Sequence, residues 1–262
     1  MRVSHYVSAV CLFLLATSCA SAQIKPRVVH VFVALADNDH QGIIPVPPAL
    51  GNGEDPARNL YWGAAYGVRT FFKKSGDWRE ISTVQRPKPY ILERSIFAHR
   101  ASGTILVADA YQGKEIKQAL TDFFNAAAGL SSEAVSFSML SSGTPESLPA
   151  SADLVVYVGH DGLMDFSLPL EFPNSTAANR SAIILACASK SLFKDILRKT
   201  GAQPLLWTTG LMAPEAYTLK AAVDGWILEE SKEQIRQRAA EAYSKYQKCS
   251  LLAAMRLFSN SW

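Results

Sequence analysis

The sequence predicts an α/β fold: a mostly parallel sheet covered by helices on both faces. Five apolar runs of strand length support this, at 28–36 (VVHVFVALA), 104–110 (TILVADA), 153–158, 182–186 and 205–208. The runs are continuously apolar rather than alternating, as strands buried on both faces are. Helical patterns separate them, which gives the β–α alternation of a parallel sheet. The composition agrees, since 262 residues with 48% hydrophobic and 19% charged content can bury an ample core.

Taken in order, residues 1–22 are set apart from the fold. Met1-Arg2 precedes an apolar run from Val7 to Ala16, and Ala20-Ser21-Ala22 stands before Gln23. This is the pattern of a secretory signal peptide cleaved after Ala22, followed by an α/β domain over 23–262. A competing pattern is Leu15-Ala16-Thr17-Ser18-Cys19, which resembles a bacterial lipobox and would make Cys19 a lipid anchor. Cleavage after Ala22 predicts a secreted or periplasmic chain, and the lipobox pattern a membrane-anchored one. No apolar run reaches the ~20 residues a membrane-spanning helix needs. Arg2 is the only charged residue among the first 22, so their removal takes the net charge from +3 to +2. Such a balance predicts no nucleic-acid face. Cys187 and Cys249 remain, too few for a disulfide framework, and they are able to pair or stay free.

After the first strand, Asp55-Pro56 supplies an N-cap and a first-turn proline for a helix through about Phe72. Tyr61, Trp62, Tyr66, Phe71 and Phe72 fall near helical spacing as its buried face. Residues 78–84 and 90–98 read as an antiparallel hairpin and 114–128 as an amphipathic helix. Helices are also expected at 191–200, about 213–223 and 229–246. The long irregular stretch with Pro45 to Pro48 and Gly51 to Glu54 overhangs the strand ends, where functional loops collect.

In parallel sheets ligands meet the C-terminal strand ends, so the polar residues after each run are the candidates. These are Asp37-Asn38-Asp39-His40, Gly159-His160-Asp161-Gly162, Cys187-Ala188-Ser189 and Thr208-Thr209-Gly210. Neighbouring parallel strands lie ~4.8 Å apart, so His160 and Cys187 can meet over one cleft. An imidazole that takes a thiol proton makes the sulfur a strong nucleophile. The backbone amides of Asp161, Gly162 and Cys187 are candidate donors to an oxyanion. Asp37 and Asp39 at alternate positions also suit a shared cation, although the residues that follow match no calcium loop. No metal or cofactor is predicted. Gly-x-Ser-x-Gly is absent, which argues against an α/β-hydrolase nucleophile elbow.

The blocks LVVYVGHDG (154–162) and AIILACASKS (182–191) resemble the caspase-like cysteine peptidases, and Ala186-Cys187-Ala188-Ser189 looks especially like the legumain form. The resemblance covers roughly residues 28–226 and implies a caspase-like three-layer sandwich. It also implies Cys187 as nucleophile, His160 as general base and acid, and a peptide or protein as substrate. By the same resemblance, residues after the first strand help form the pocket for the substrate side chain, where Asp37 and Asp39 would favour a basic residue. Thr208 and Thr209 are further candidate substrate-binding residues. One departure stands out: Asp161 occupies the place where the family has glycine, and Gly162 follows one position later. That departure favours an alternative, a caspase-like module that binds a peptide or partner without cleaving it.

Overall fold

The computed structural model describes residues 26–130, 134–148, 151–173, 175 and 180–262, so the predicted signal segment with Cys19 lies outside the described residues. The core is an eight-stranded sheet in the order β10-β9-β8-β7-β1-β4-β3-β2. Strands β1 (Val28–Ala34), β4 (Ile105–Tyr111), β7 (Leu154–Val158), β8 (Ser181–Leu185) and β9 (Gln203–Thr208) run parallel. β2 (Trp78–Lys88), β3 (Ile91–His99) and the short edge strand β10 (Phe258–Ser259) pair antiparallel.

Alternation along the strands divides the core in two. Val29, Val31, Val33, Val156, Val158, Ile183 and Leu185 face α1 (Val68–Lys74), α4 (Ala216–Ile227), α5 (Lys232–Gln247) and α6 (Leu251–Leu257). Phe32, Val155, Tyr157 and Ile184 face α2 (Ile116–Ala127) and α3 (Ser189–Thr200). A mostly parallel sheet between two helical layers results, as the continuous apolar runs require. Helix α2 shows the logic within one element. Ile116, Ala119, Leu120, Phe123, Phe124 and Ala127 recur every three or four residues, and all are buried. Fully burying a ring such as Phe123 contributes about 2–3 kcal/mol. Helix α5 begins with a capping box, in which Ser231 Oγ accepts from Gln234 N and Gln234 Oε1 accepts from Ser231 N.

The sheet departs from expectation in one segment. Helix is predicted over 55–72, but only Val68–Lys74 is helical. Asp55 caps a turn, accepting from Ala57 N at 3.1 Å, and Asn59 then interrupts it. Fully buried, Asn59 accepts from Ala36 N and Tyr61 N and donates to Ala36 O and Asn52 O, which ties the segment back to the end of β1. At Gly63 the chain approaches its own backbone so closely that a Cβ would stand 2.1 Å from Ala57 O. Side-chain competition and this close approach outweigh local helix propensity. Trp62 and Phe72 are still buried, whereas Tyr66 is exposed. The hairpin β5 (Val135–Ser138) with β6 (Pro145–Leu148), together with α6 and β10, are elements the periodicity does not announce.

Among the described residues no helix is long and apolar enough to cross a membrane. One buried ion network ties the antiparallel wing to the parallel strands. Arg94 on β3 donates to both oxygens of Asp109 on β4, at 2.6 and 2.7 Å, and His30 Nε2 on β1 lies 2.9 Å from the same carboxylate. Burial alone would raise the Asp109 pKa, but Arg94 and His30 more than reverse this and hold it down to about 2. The carboxylate therefore contributes stability above its unfolded value near 3.8, and that contribution is lost as pH falls toward 2. Asp109→Asn is expected to cost about 3 kcal/mol or more, because it strands a buried arginine, and to flatten the acid limb of stability below pH 4. Urea midpoints at a series of acid pH values check this, and an unchanged acid limb contradicts it.

Candidate active site

The site begins with a register. β7 pairs with β8 at a constant offset of 27 residues, from Leu154 opposite Ser181 to Val158 opposite Leu185. His160 and Cys187 are separated by the same 27 residues, and each lies two positions beyond the last registered pair. The two chains therefore leave the C-terminal edge of the sheet side by side, carrying an imidazole on one and a thiol on the other. Here β1 and β7 are neighbours, and their outgoing segments cover opposite faces. Residues 68 and 72 after β1 join one core layer, and Phe172 after β7 joins the other. Such a divergence opens a crevice at the strand ends.

Gly159 starts the exit of β7 at φ 152°, and a Cβ there would stand 2.9 Å from Ala34 O on β1. Only glycine fits this approach. The next residue, His160, is 7% exposed. Its Nε2 lies 2.7 Å from Asp165 Oδ2, so the carboxylate keeps the proton on Nε2 and leaves Nδ1 as the acceptor. Gly42 N, from the loop after β1, donates to the same Asp165 oxygen at 3.2 Å. Tyr157 OH donates to His160 O at 2.8 Å, fixing the backbone under the ring. Asp165 is the orienting residue that the strand-end search passed over. An acid five residues after a candidate histidine, in a short turn, was its available signal.

Cys187 sits where β8 turns sharply into α3. Ala188, the N-cap, takes the left-handed conformation at φ 47°. Such backbone strain in a non-glycine residue costs on the order of 1 kcal/mol or more and is held by its surroundings. Here Ala188 N donates to Gly210 O at 2.8 Å, and Ser191 Oγ donates to Ala188 O at 2.8 Å. Beneath the turn, buried Ser189 Oγ donates to Ile184 O and accepts from Thr208 N. Met212 N donates to Cys187 Sγ at 3.4 Å. The thiol in turn donates to Met212 O at 3.6 Å, and among the described residues no hydrogen bond joins it to His160. Cys187 and Cys249 are both free thiols.

The remaining predicted residues fall in different places. The Gly162 N–H is engaged with His160 O at 3.1 Å, and among the described residues no hydrogen bond takes up the N–H of Asp161 or Cys187. Asp161 is fully buried, whereas Cys187 is partly exposed. Asp37 is buried, and its carboxylate is occupied by the loop itself. It accepts from Asp39 N and His40 N and lies 3.0 Å from His40 Nδ1, walled by Gly53 and Gly113. Asp39 is exposed. Thr208 is fully buried and bonded to Ala186 O and Ser189, so it locks β9 to the Cys187 turn. Thr209 is exposed, and its Oγ1 donates to Arg256 O at 2.9 Å with Leu257 O at 3.2 Å. The loop after β1 is pinned by its own polar side chains, with Gln41 Nε2 donating to Leu35 O and Gly113 O, and Asn38 bonded to Val46 on both sides.

Asp161 is the distinctive member of the site. Its side chain is fully buried, Oδ1 accepts from Leu163 N at 3.0 Å, and Oδ2 has no hydrogen-bond partner among the described residues. Burial, with the nearby Asp165 charge adding to it, raises its pKa to about 7 against the opposing backbone donors. No protein-family model, curated protein or solved structure matches the chain.

A carboxyl whose folded pKa is raised destabilises the folded state above its unfolded value, and the loss accumulates as pH climbs to the folded value. The protein should therefore lose stability between about pH 4 and pH 7 through Asp161. Asp161→Asn, which keeps the acceptor for Leu163 N, is expected to remove that decline. Urea unfolding of both proteins across this range checks it, and parallel profiles contradict it.

Proposed function

We propose that the chain is an exported, caspase-like cysteine peptidase in which Cys187 is the nucleophile and His160 the general base and acid. The observation that carries this reading is the shared 27-residue interval, which sets His160 and Cys187 at adjacent strand ends. Asp165 then fixes the imidazole tautomer with Nδ1 free to accept a proton. In the proposed reaction Cys187 Sγ bonds to the scissile carbonyl carbon while its proton passes to His160 Nδ1. The Cys187 amide, which carries no hydrogen bond among the described residues, receives the oxyanion. His160 next protonates the leaving amine as the C–N bond breaks. Water, deprotonated by His160, releases the acyl group as a carboxylic acid and restores the thiol.

Three large apolar side chains support a peptidic ligand. Ile44, Met164 and Leu211 are each more than half exposed, and they stand on the loops that follow β1, β7 and β9. Exposed apolar groups gathered on one rim are a mark of interaction sites. The second reading, binding without cleavage, draws on Asp161, whose buried carboxyl, with Oδ2 unpartnered among the described residues, stands where the family has glycine.

Iodoacetamide labelling at pH 6 tests the dyad, with Cys249 as internal control. Cys187 is expected to react at least about 10-fold faster than Cys249, and His160→Ala to abolish most of that difference. On a fluorogenic peptide library, His160→Ala should lower turnover about 10²–10⁴-fold. An unreactive Cys187 contradicts the catalytic reading. Labelling that depends on His160 without cleavage of any peptide leaves the binding reading in its place.

A further inference from the structure

A half-buried acid near the Cys187 thiol has no cationic partner among the described residues, unlike the acids on β2, β3 and β4. Glu80 faces Lys73 and Arg69, Glu93 faces Arg69, and Asp109 faces Arg94. Glu215, at the start of α4, makes no ion pair among the described residues. It does not cap its own helix either, since no side-chain cap hydrogen bond forms there. Instead Tyr217 OH and Gln247 Nε2 donate to one oxygen, Oε2, at 2.9 and 3.1 Å, while no hydrogen bond from a described residue reaches Oε1. The carboxylate is thus gripped on one side and open on the other. A partly desolvated carboxylate held this way, without a counter-charge, is costly until a cation reaches it.

Its position relative to the thiol follows from a short tether. Met212 N donates to Cys187 Sγ, Ala213 N donates to Tyr243 OH, and Glu215 N donates back to Ala213 O at 2.9 Å. Two tyrosines lie within electrostatic reach of both groups. Burial raises the pKa of Tyr61, and the charges of Cys187 and Glu215 raise it further. For Tyr243, burial again leads, with Cys249, Cys187 and Glu215 adding to it against the Ala213 N–H. By contrast, the Asp37 carboxylate is consumed by its own loop.

We infer that Glu215 is a specificity-determining residue that receives a cationic side chain, lysine or arginine, of a peptide bound at Cys187. The inference rests on the reading of Cys187 as the reacting group. A guanidinium or ammonium would donate to the open Oε1, a charge-assisted bond, while an acidic side chain would meet a like charge. Tyr217 and Gln247 act as positioning residues by holding the other oxygen.

Two measurements test this separately from turnover. First, agmatine, a small guanidinium, should slow iodoacetamide labelling of Cys187 several-fold in the unaltered protein and not in Glu215→Gln, an isosteric change that keeps the Tyr217 hydrogen bond. Second, on matched fluorogenic peptides the ratio of kcat/KM for arginine over glutamine should be at least about 10 and fall near 1 in Glu215→Gln, mainly through KM. Agmatine protection that is absent, or equal in both proteins, overturns the inference, as does an arginine preference unchanged by the substitution. Protection that depends on Glu215 without any peptide cleavage keeps the cation site and removes the peptidase reading instead. Thermal melts confirm that the variant is folded.

Discussion

The parallel pairing of β7 with β8 is the constraint from which the rest of the site follows. A one-residue slip would reverse the faces of every side chain on β8, exchanging Ile183 and Leu185 in one buried layer with Ala182 and Ile184 in the other, so packing on both faces holds the offset at 27. Because the interval between His160 and Cys187 equals that offset, the packing of the core also brings these two residues to adjacent strand ends.

What the register leaves undetermined, the exits from the strands supply. Gly159 lets β7 leave close against β1, Asp165 turns the imidazole and ties it to the loop after β1, and the strained Ala188 swings the chain from Cys187 into α3. That conformation is held by Ala188 N donating to Gly210 O and Ser191 Oγ donating to Ala188 O, with the buried hydroxyl pair of Ser189 and Thr208 beneath the turn. Thr208 thus ties β9 to the Cys187 turn. Asp161 is in tension with this arrangement: its unpartnered buried oxygen costs stability, and a site is where such a cost is commonly retained.

The five parallel strands were legible because two-sided burial writes continuous apolar runs, and helices α2 and α5 because one-sided burial writes a 3.6-residue period. His160 and Cys187 were legible for the same reason, as polar residues closing such runs. The segment 55–67 was not. Its apolar spacing fits a helix, yet Asn59 bonds to Ala36 and close backbone contacts at Gly63 decide the conformation, and both are tertiary. Asp165, Met212 and Glu215 were likewise hidden, since each comes from an irregular segment that no period marks. Asp37 was legible as a strand-end acid, whereas the loop donors that surround its carboxylate, Asp39 N and His40 N, were not.

The most direct test of the account is whether positions 160 and 187 stand next to each other in the folded protein. His160→Cys in a Cys249→Ser background places two thiols at those positions, and a disulfide closes only when the Cα atoms are about 4.4–6.8 Å apart with Cβ vectors facing. Mild oxidation of the native protein followed by peptide mass mapping should give a 160–187 disulfide in high yield. Two free thiols in a protein that remains folded would contradict the register-built site.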